Sequence, residues 1–302
     1  KAVSGEDGKA VFTQNLPFGE YYIKELAAPD GYVSSDEVME VKAEYQGQDV
    51  KVVQLSSVFK NQPTKVVVSK SDLTTGVELS GATLTVLDKA GNAVDTWKSV
   101  KGEQHLIERL TVGETYTLRE EMAPYGYLKA EEITFTIEDT GEIQKVEMQD
   151  DVPKALLIVN KKGEFLDKIT LLDNVKGVVE HFFEYITGSL TDVTFEIYAA
   201  EDIKAADSVS PDYYVKDELV VTVTTDANGV AEVSELPVGK YYVKEEVRKA
   251  GYLPNEEVWE VDATYENQNL AKIELNKEVE NQPTETRITK TDATTGNELE
   301  GA

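Results

Sequence analysis

Tyr116–Tyr127 reads YTLREEMAPYGY, and two other stretches echo it: YYIKELAAPDGY at Tyr21–Tyr32 and YYVKEEVRKAGY at Tyr241–Tyr252. In each copy a tyrosine, an aliphatic residue and a glutamate fall at alternate positions: Tyr21, Ile23, Glu25; Tyr116, Leu118, Glu120; Tyr241, Val243, Glu245. Alternation places all three on one face of a strand, the face that turns toward a core. A carboxylate on an apolar strand face is costly unless neutral or paired. Each glutamate therefore calls for a buried partner.

Working outward, the sequence around these stretches is built from short alternating runs separated by turn signals. GEDGKAVF at Gly5, DKAGNAV at Asp88, EDTGEIQKV at Glu138 and TDANGVAEV at Thr225 each place a glycine where a tight hairpin needs positive φ. Strands and turns in this rhythm predict tandem antiparallel β-sandwiches rather than βαβ units.

Internal repetition marks the domains. NQPT occurs at Asn61–Thr64 and again at Asn281–Thr284, each time between strands, and DDVPK at Asp150–Lys154 is a looser third junction. Proline there cannot donate to a ladder and stiffens the backbone, which suits an interdomain hinge. The reading is a first domain at 1–62 lacking its first strands, complete domains at 63–152 and 153–282, and the opening strand of a further domain at 283–302. The third carries an insertion over about 164–190, where Val178, Val179, Phe182, Phe183 and Ile186 have helical spacing. A short amphipathic helix is expected there, capping the sandwich or serving as a binding element.

The strand opening each complete domain ends its apolar face on a lysine: Val66, Val68, Lys70 and Leu157, Val159, Lys161. Lys162 is one residue out of step, and alternation favours Lys161. The closing strand ends on a carboxylate or carboxamide: Val146, Met148, Asp150 and Val279, Asn281. Asp151 competes with Asp150, which alternation favours. The first domain retains Phe59 with Asn61, and the last segment Ile288 with Lys290. Glu121 and Glu246, adjacent to the inward glutamates, point out to solvent.

A Lys, Glu and Asp or Asn facing one another in a core are suited to amide formation. Burial disfavours the ammonium and yields a neutral amine nucleophile, and it keeps a glutamate protonated and able to shuttle protons. Held in contact, amine and carbonyl react as one molecule, with effective molarities on the order of 10⁵ M or more. The alternative is a buried salt bridge with no covalent chemistry.

The pattern of YTLREEMAPYGY, with VVVSKSD, LSGATLTV, ITFTIEDTGEI and VEMQDD, closely resembles the CnaB-type (prealbumin-like, SpaA-like) domains of Gram-positive surface adhesins and pilins. Tyr-x-Leu-x-Glu-x-x-Ala-Pro-x-Gly-Tyr is similar to that family's E-box, whose glutamate falls on Glu120, with Glu25 and Glu245 matching. The family's isopeptide lysine falls on Lys70 and Lys290, and its partner on Asp150, Asn61 and Asn281. In the third copy Arg248, Lys249 and Ala250 replace the Ala-Pro signature. The resemblance implies a stalk or fibre repeat of a cell-wall-anchored surface protein or pilin, stiffened by self-made isopeptide bonds. The location it implies is extracellular, on a Gram-positive-type cell surface, with neighbouring repeats as partners. An adhesin module binding a host protein or glycan is the alternative. No sortase-recognition or pilin-linking lysine motif is evident.

Composition narrows the classes. With 30 Lys+Arg against 57 Asp+Glu and a formal charge of -27, a nucleic-acid partner is disfavoured. Without cysteine there is neither a disulfide framework nor a thiolate metal site. No run approaches the roughly 20 apolar residues of a membrane span. His105 and His181 are isolated, so no metal site is expected, and Asp226–Gly229 reads as a hairpin turn rather than a calcium loop. No serine has hydrolase context. No cofactor and no enzyme activity on an external substrate are expected.

Overall fold

The structure, a computed structural model, describes residues 1–173, 179–286 and 289–298. Among these residues every regular element is a strand. The first stretch forms a single antiparallel pair, β1 (Gly19–Lys24) with β2 (Val38–Ala43), in which Tyr21 faces Val41. Here the inward residues Tyr21, Ile23 and Glu25 are only half-buried.

Seven strands follow: β3 (Lys65–Asp72), β4 (Thr83–Leu87), β5 (Ala93–Lys98), β6 (His105–Glu108), β7 (Thr115–Met122), β8 (Ile133–Thr136) and β9 (Gln144–Asp150). They make two sheets, β6-β3-β9 and β5-β4-β7-β8. Val66 and Val68 of β3, Leu84 and Val86 of β4, Leu118 of β7 and Met148 of β9 share one buried cluster. The predicted alternation accounts for this: each contributes an apolar residue at every second position.

Eight strands complete the fold: β10 (Lys154–Asp173), β11 (Val179–Ser189), β12 (Thr194–Ala199), β13 (Leu219–Thr224), β14 (Val230–Pro237), β15 (Gly239–Val247), β16 (Val258–Ala263) and β17 (Lys272–Asn281). One sheet is β13-β12-β15-β16; the other is β11-β10-β14 with β17 also on β10. β17 runs parallel to β10, pairing Lys161 with Val279 and Gly163 with Asn281. The core between them centres on Leu157, Val159, Phe195, Ile197, Tyr241 and Trp259.

Among the described residues the helix expected in the insertion is not formed. Val178 lies outside the described residues, whereas Val179, Phe182, Phe183 and Ile186 belong to β11, paired antiparallel with the far half of β10. Aromatic and β-branched residues fit a pleated ribbon as well as a helix, and their spacing is compatible with both. What decides is the neighbour: β10 runs on past the sandwich and offers β11 an edge.

The hairpin at Thr225 keeps its carboxylate for the turn. Asp226 Oδ1 accepts the backbone N–H of Asn228 at 2.8 Å and of Val230 at 2.9 Å, and Gly229 takes φ 73°. His105 hydrogen-bonds Asp95 at 2.8 Å and stacks on Trp97 with ring centroids 4.0 Å apart.

By backbone proximity the chain divides into two compact units. One is Lys1–Ser71, Glu78–Glu121 and Ala130–Gln149; the other is Asp72–Val77, Met122–Lys129 and Asp150–Ala302.

Candidate functional site

The most complete site lies between β10, β15 and β17. Leu157, Val159 and Lys161 alternate inward on β10, and Lys161 is 1 % exposed. β15 brings Glu245 after Tyr241 and Val243, and the parallel β17 delivers Asn281 after Val279. Lys161 Nζ donates to Asn281 Oδ1 at 2.5 Å and lies 2.9 Å from Glu245 Oε2. Asn281 Nδ2 donates to the other glutamate oxygen, Oε1, at 2.7 Å. One carboxylate thus spans both nitrogens, one oxygen on each.

Burial disfavours the Lys161 ammonium and lowers its pKa from the ordinary lysine value, with Glu245 opposing the shift. Phe195, fully buried, places its ring 5.9 Å from the nitrogen and closes that side to water. Lys162, the alternative lysine, points outward and pairs with Glu278 at 2.6 Å.

In the preceding sandwich, Lys70 of β3 and Glu120 of β7 are buried side by side, Nζ to Oε1 3.0 Å. The second glutamate oxygen accepts the Ala130 N–H at 2.7 Å. Asp150, 1 % exposed, ends the inward face of β9, which flanks β3 in the sheet. Asp151 is exposed, and its side chain accepts its neighbour's N–H, that of Val152.

The first stretch contains two of the three groups. Asn61 Nδ2 donates to Glu25 Oε2 at 2.7 Å and to the Val33 carbonyl at 3.1 Å, and the same Glu25 oxygen accepts the Ser35 N–H. Lys290 is exposed near the other end of the chain.

Two supporting features escaped sequence reasoning. The Ala-Pro missing from the third E-box is replaced by Lys249, whose carbonyl takes the Tyr252 N–H at 3.2 Å, as Pro124 takes that of Tyr127. Its ammonium holds Asp192 and Thr191, at 2.5 and 2.9 Å, fastening the turn by charge where proline would stiffen it. The E-box tyrosine is itself anchored: Tyr127 donates to Asp72, two residues beyond Lys70, and Tyr252 to the Glu164 carbonyl.

A family model for the SpaA prealbumin-like fold domain matches residues 1–56, 64–152 and 185–279. The chain belongs to this family. The SpaA match leaves out residues 153–184, which hold β10 and the first half of β11. Among solved structures, the Bacillus anthracis TIE protein is similar at 26 % identity and TM-score 0.52, over 93 % of this chain and 44 % of that one. The chain thus spans less than half of that protein's length. GBS52, the minor pilin of Streptococcus agalactiae, aligns at 14 % identity and TM-score 0.29 over 76 % of this chain and 100 % of its own. The shaft pilin SpaA of Lactobacillus rhamnosus GG aligns at 12 % and 0.28, over 74 % and 99 %. A search of curated proteins finds no match.

Proposed function

We propose that this chain is a load-bearing stretch of a stalk or fibre on a Gram-positive-type cell surface, an adhesin stalk or pilin. In this reading it is stiffened by isopeptide bonds that its repeats make on themselves. The observation that carries the reading is the Lys161–Glu245–Asn281 contact, with its carboxylate bridging both nitrogens. Membership of a family that includes pilin domains supports the extracellular, structural role.

The chemistry follows from the geometry. Glu245 takes a proton from the Lys161 ammonium, freeing an amine that burial already favours. Nζ attacks Asn281 Cγ, and a Nζ–Cγ bond forms while Cγ–Nδ2 breaks. Glu245 returns its proton to Nδ2, which leaves as ammonia, and then takes the second proton that Nζ sheds in becoming an amide nitrogen, so that the carboxylate ends as the neutral acid. Lys70 and Asp150 with Glu120 would react in the same way with loss of water. Each bond joins a first strand to a last one, so that tension passes along covalent bonds and bypasses the hydrogen-bonded sheet.

Intact mass tests this reading. Residues 63–282 should be lighter than their sequence by one ammonia and one water, and Glu120→Ala and Glu245→Ala should each restore the respective increment. An unshifted parent mass would overturn it.

A second reading, attachment to a host protein or glycan, is favoured by the β10–β11 extension. Leu166, Ile169, Leu171, Phe183 and Tyr185 share one face of this ribbon and are all exposed. Deleting 164–189 should abolish adhesion to host cells if the ribbon is the binding element. Unchanged adhesion would remove it from consideration.

A further inference from the structure

The E-box makes a second set of contacts, through backbone groups of the turn that closes it. The residue after the E-box tyrosine donates its N–H to the carbonyl just beyond each acceptor residue: Val33 to Gln62 at 2.9 Å, Leu128 to Asp151 at 2.8 Å and Leu253 to Gln282 at 2.8 Å. The E-box glycine then accepts the first N–H beyond the proline, Thr64 to Gly31 at 3.0 Å and Thr284 to Gly251 at 2.8 Å. Bridges pair Tyr32 with Pro63 and Tyr252 with Pro283. The junctions read as hinges in sequence are therefore short ladders, in which proline occupies a position that needs no donor.

At the first junction the grip extends into the following sandwich. Thr64 is buried; its hydroxyl donates to the Leu110 carbonyl at 2.7 Å, and its own carbonyl accepts the Arg109 N–H at 3.0 Å. Gly31 sits at φ 82° against Arg109, where a Cβ would stand 2.7 Å from the Arg109 carbonyl oxygen. Ser34 N–H reaches Asp139 at 2.8 Å. The Met122–Lys129 turn is held in kind: Gln268 accepts the N–H groups of Ala123 and Lys129, and Tyr265 donates to the Tyr127 carbonyl. There Pro153 stands where Thr64 and Thr284 stand in the other copies, so the glycine contact has no donor.

We propose that the turn closing each E-box is the docking element for the repeat that follows, its partner being the Pro–Thr segment and the loop ends around it. One stretch then serves two tasks: its glutamate faces its own repeat's acceptor, and its turn holds the next repeat, through the glycine where a Pro–Thr segment follows and through Gln268 and Tyr265 at the second copy. This inference stands whether or not the isopeptide bonds form.

Because the chain has no cysteine, two can be placed at will. Tyr22→Cys and Val94→Cys, both exposed and on either side of the first junction, carry spin labels for a pulsed distance measurement. A clamped junction predicts one narrow distance distribution, and Gly31→Val, which drives a side chain into Arg109, should broaden it. A broad distribution in the parent, or one unaltered by Gly31→Val, would overturn the proposal. Amide exchange on the unsubstituted chain gives a variant-free reading. The Val33 and Thr64 amides should exchange about tenfold or more slower than unstructured chain. Unprotected rates at both would equally overturn it.

Discussion

The pair Glu25–Asn61 and the pair Glu245–Asn281 are separated by the same 36 residues and make the same 2.7 Å hydrogen bond, yet one is half-buried and the other is sealed. What differs is the lysine strand. Without it, the E-box and the closing strand still find each other, so the carboxylate–carboxamide contact is a property of those two segments. With it, Lys161 closes the third side, Asn281 and the ammonium take one glutamate oxygen each where Glu25 gives a single oxygen to both Asn61 and Ser35, and water is excluded. The lysine strand supplies both reagent and dryness.

The largest break in this comparison is Glu245→Ala. It removes the proton carrier and strands a buried ammonium, so the ammonia loss should vanish from the mass. A cross-link closing some 120 residues contributes about 5 kcal/mol on the loop-entropy model, and the unpaired lysine costs about 3 kcal/mol or more. Calorimetry should show a transition lowered by many degrees; a small shift would mean that no cross-link had been present.

Asn281→Ala keeps Lys161 and Glu245 but cannot cross-link, and it exposes the lysine's titration. Folding lowers the Lys161 pKa below 10.5, so the unfolded chain binds the extra proton in the interval between the lowered and the ordinary value. Stability of this variant should therefore rise with pH through that interval and level off above it. Denaturant midpoints falling with pH there would contradict a lysine disfavoured by burial.

Asn61→Ala sharpens the other side. It removes two hydrogen bonds from a half-buried site, with an expected cost of about 1–2 kcal/mol. The mass should change only by the substitution itself. Smallest of all is Lys162→Ala, whose pair with Glu278 is solvent-exposed. Stability should stay within about 1 kcal/mol, and the ammonia deficit should persist; its disappearance would move the nucleophile to Lys162.

Much of the site was legible in the sequence because its members continue apolar alternation. Lys70, Lys161, Glu120, Asp150 and Asn281 are each the residue at which a buried face turns polar, and each is buried. The ribbon was not legible, since HFFEYI satisfies both a helical and a strand period and only the extended β10 selects between them. The contacts at the junctions were not legible for a different reason. NQPT advertises proline, whereas what holds it are backbone groups of Gly31, Val33, Gly251 and Leu253, which no side-chain pattern announces. Lys249 in place of proline belongs with these: its role depends on Asp192, a neighbour only in space.

The central claim is that the Lys161–Glu245–Asn281 contact becomes a bond. Intact mass spectrometry with peptide mapping of the third sandwich measures this directly. The account predicts a deficit of one ammonia and a branched peptide joining Lys161 to Asn281. A full sequence mass, with the two residues recovered on separate peptides, would contradict it and leave a buried salt bridge in its place.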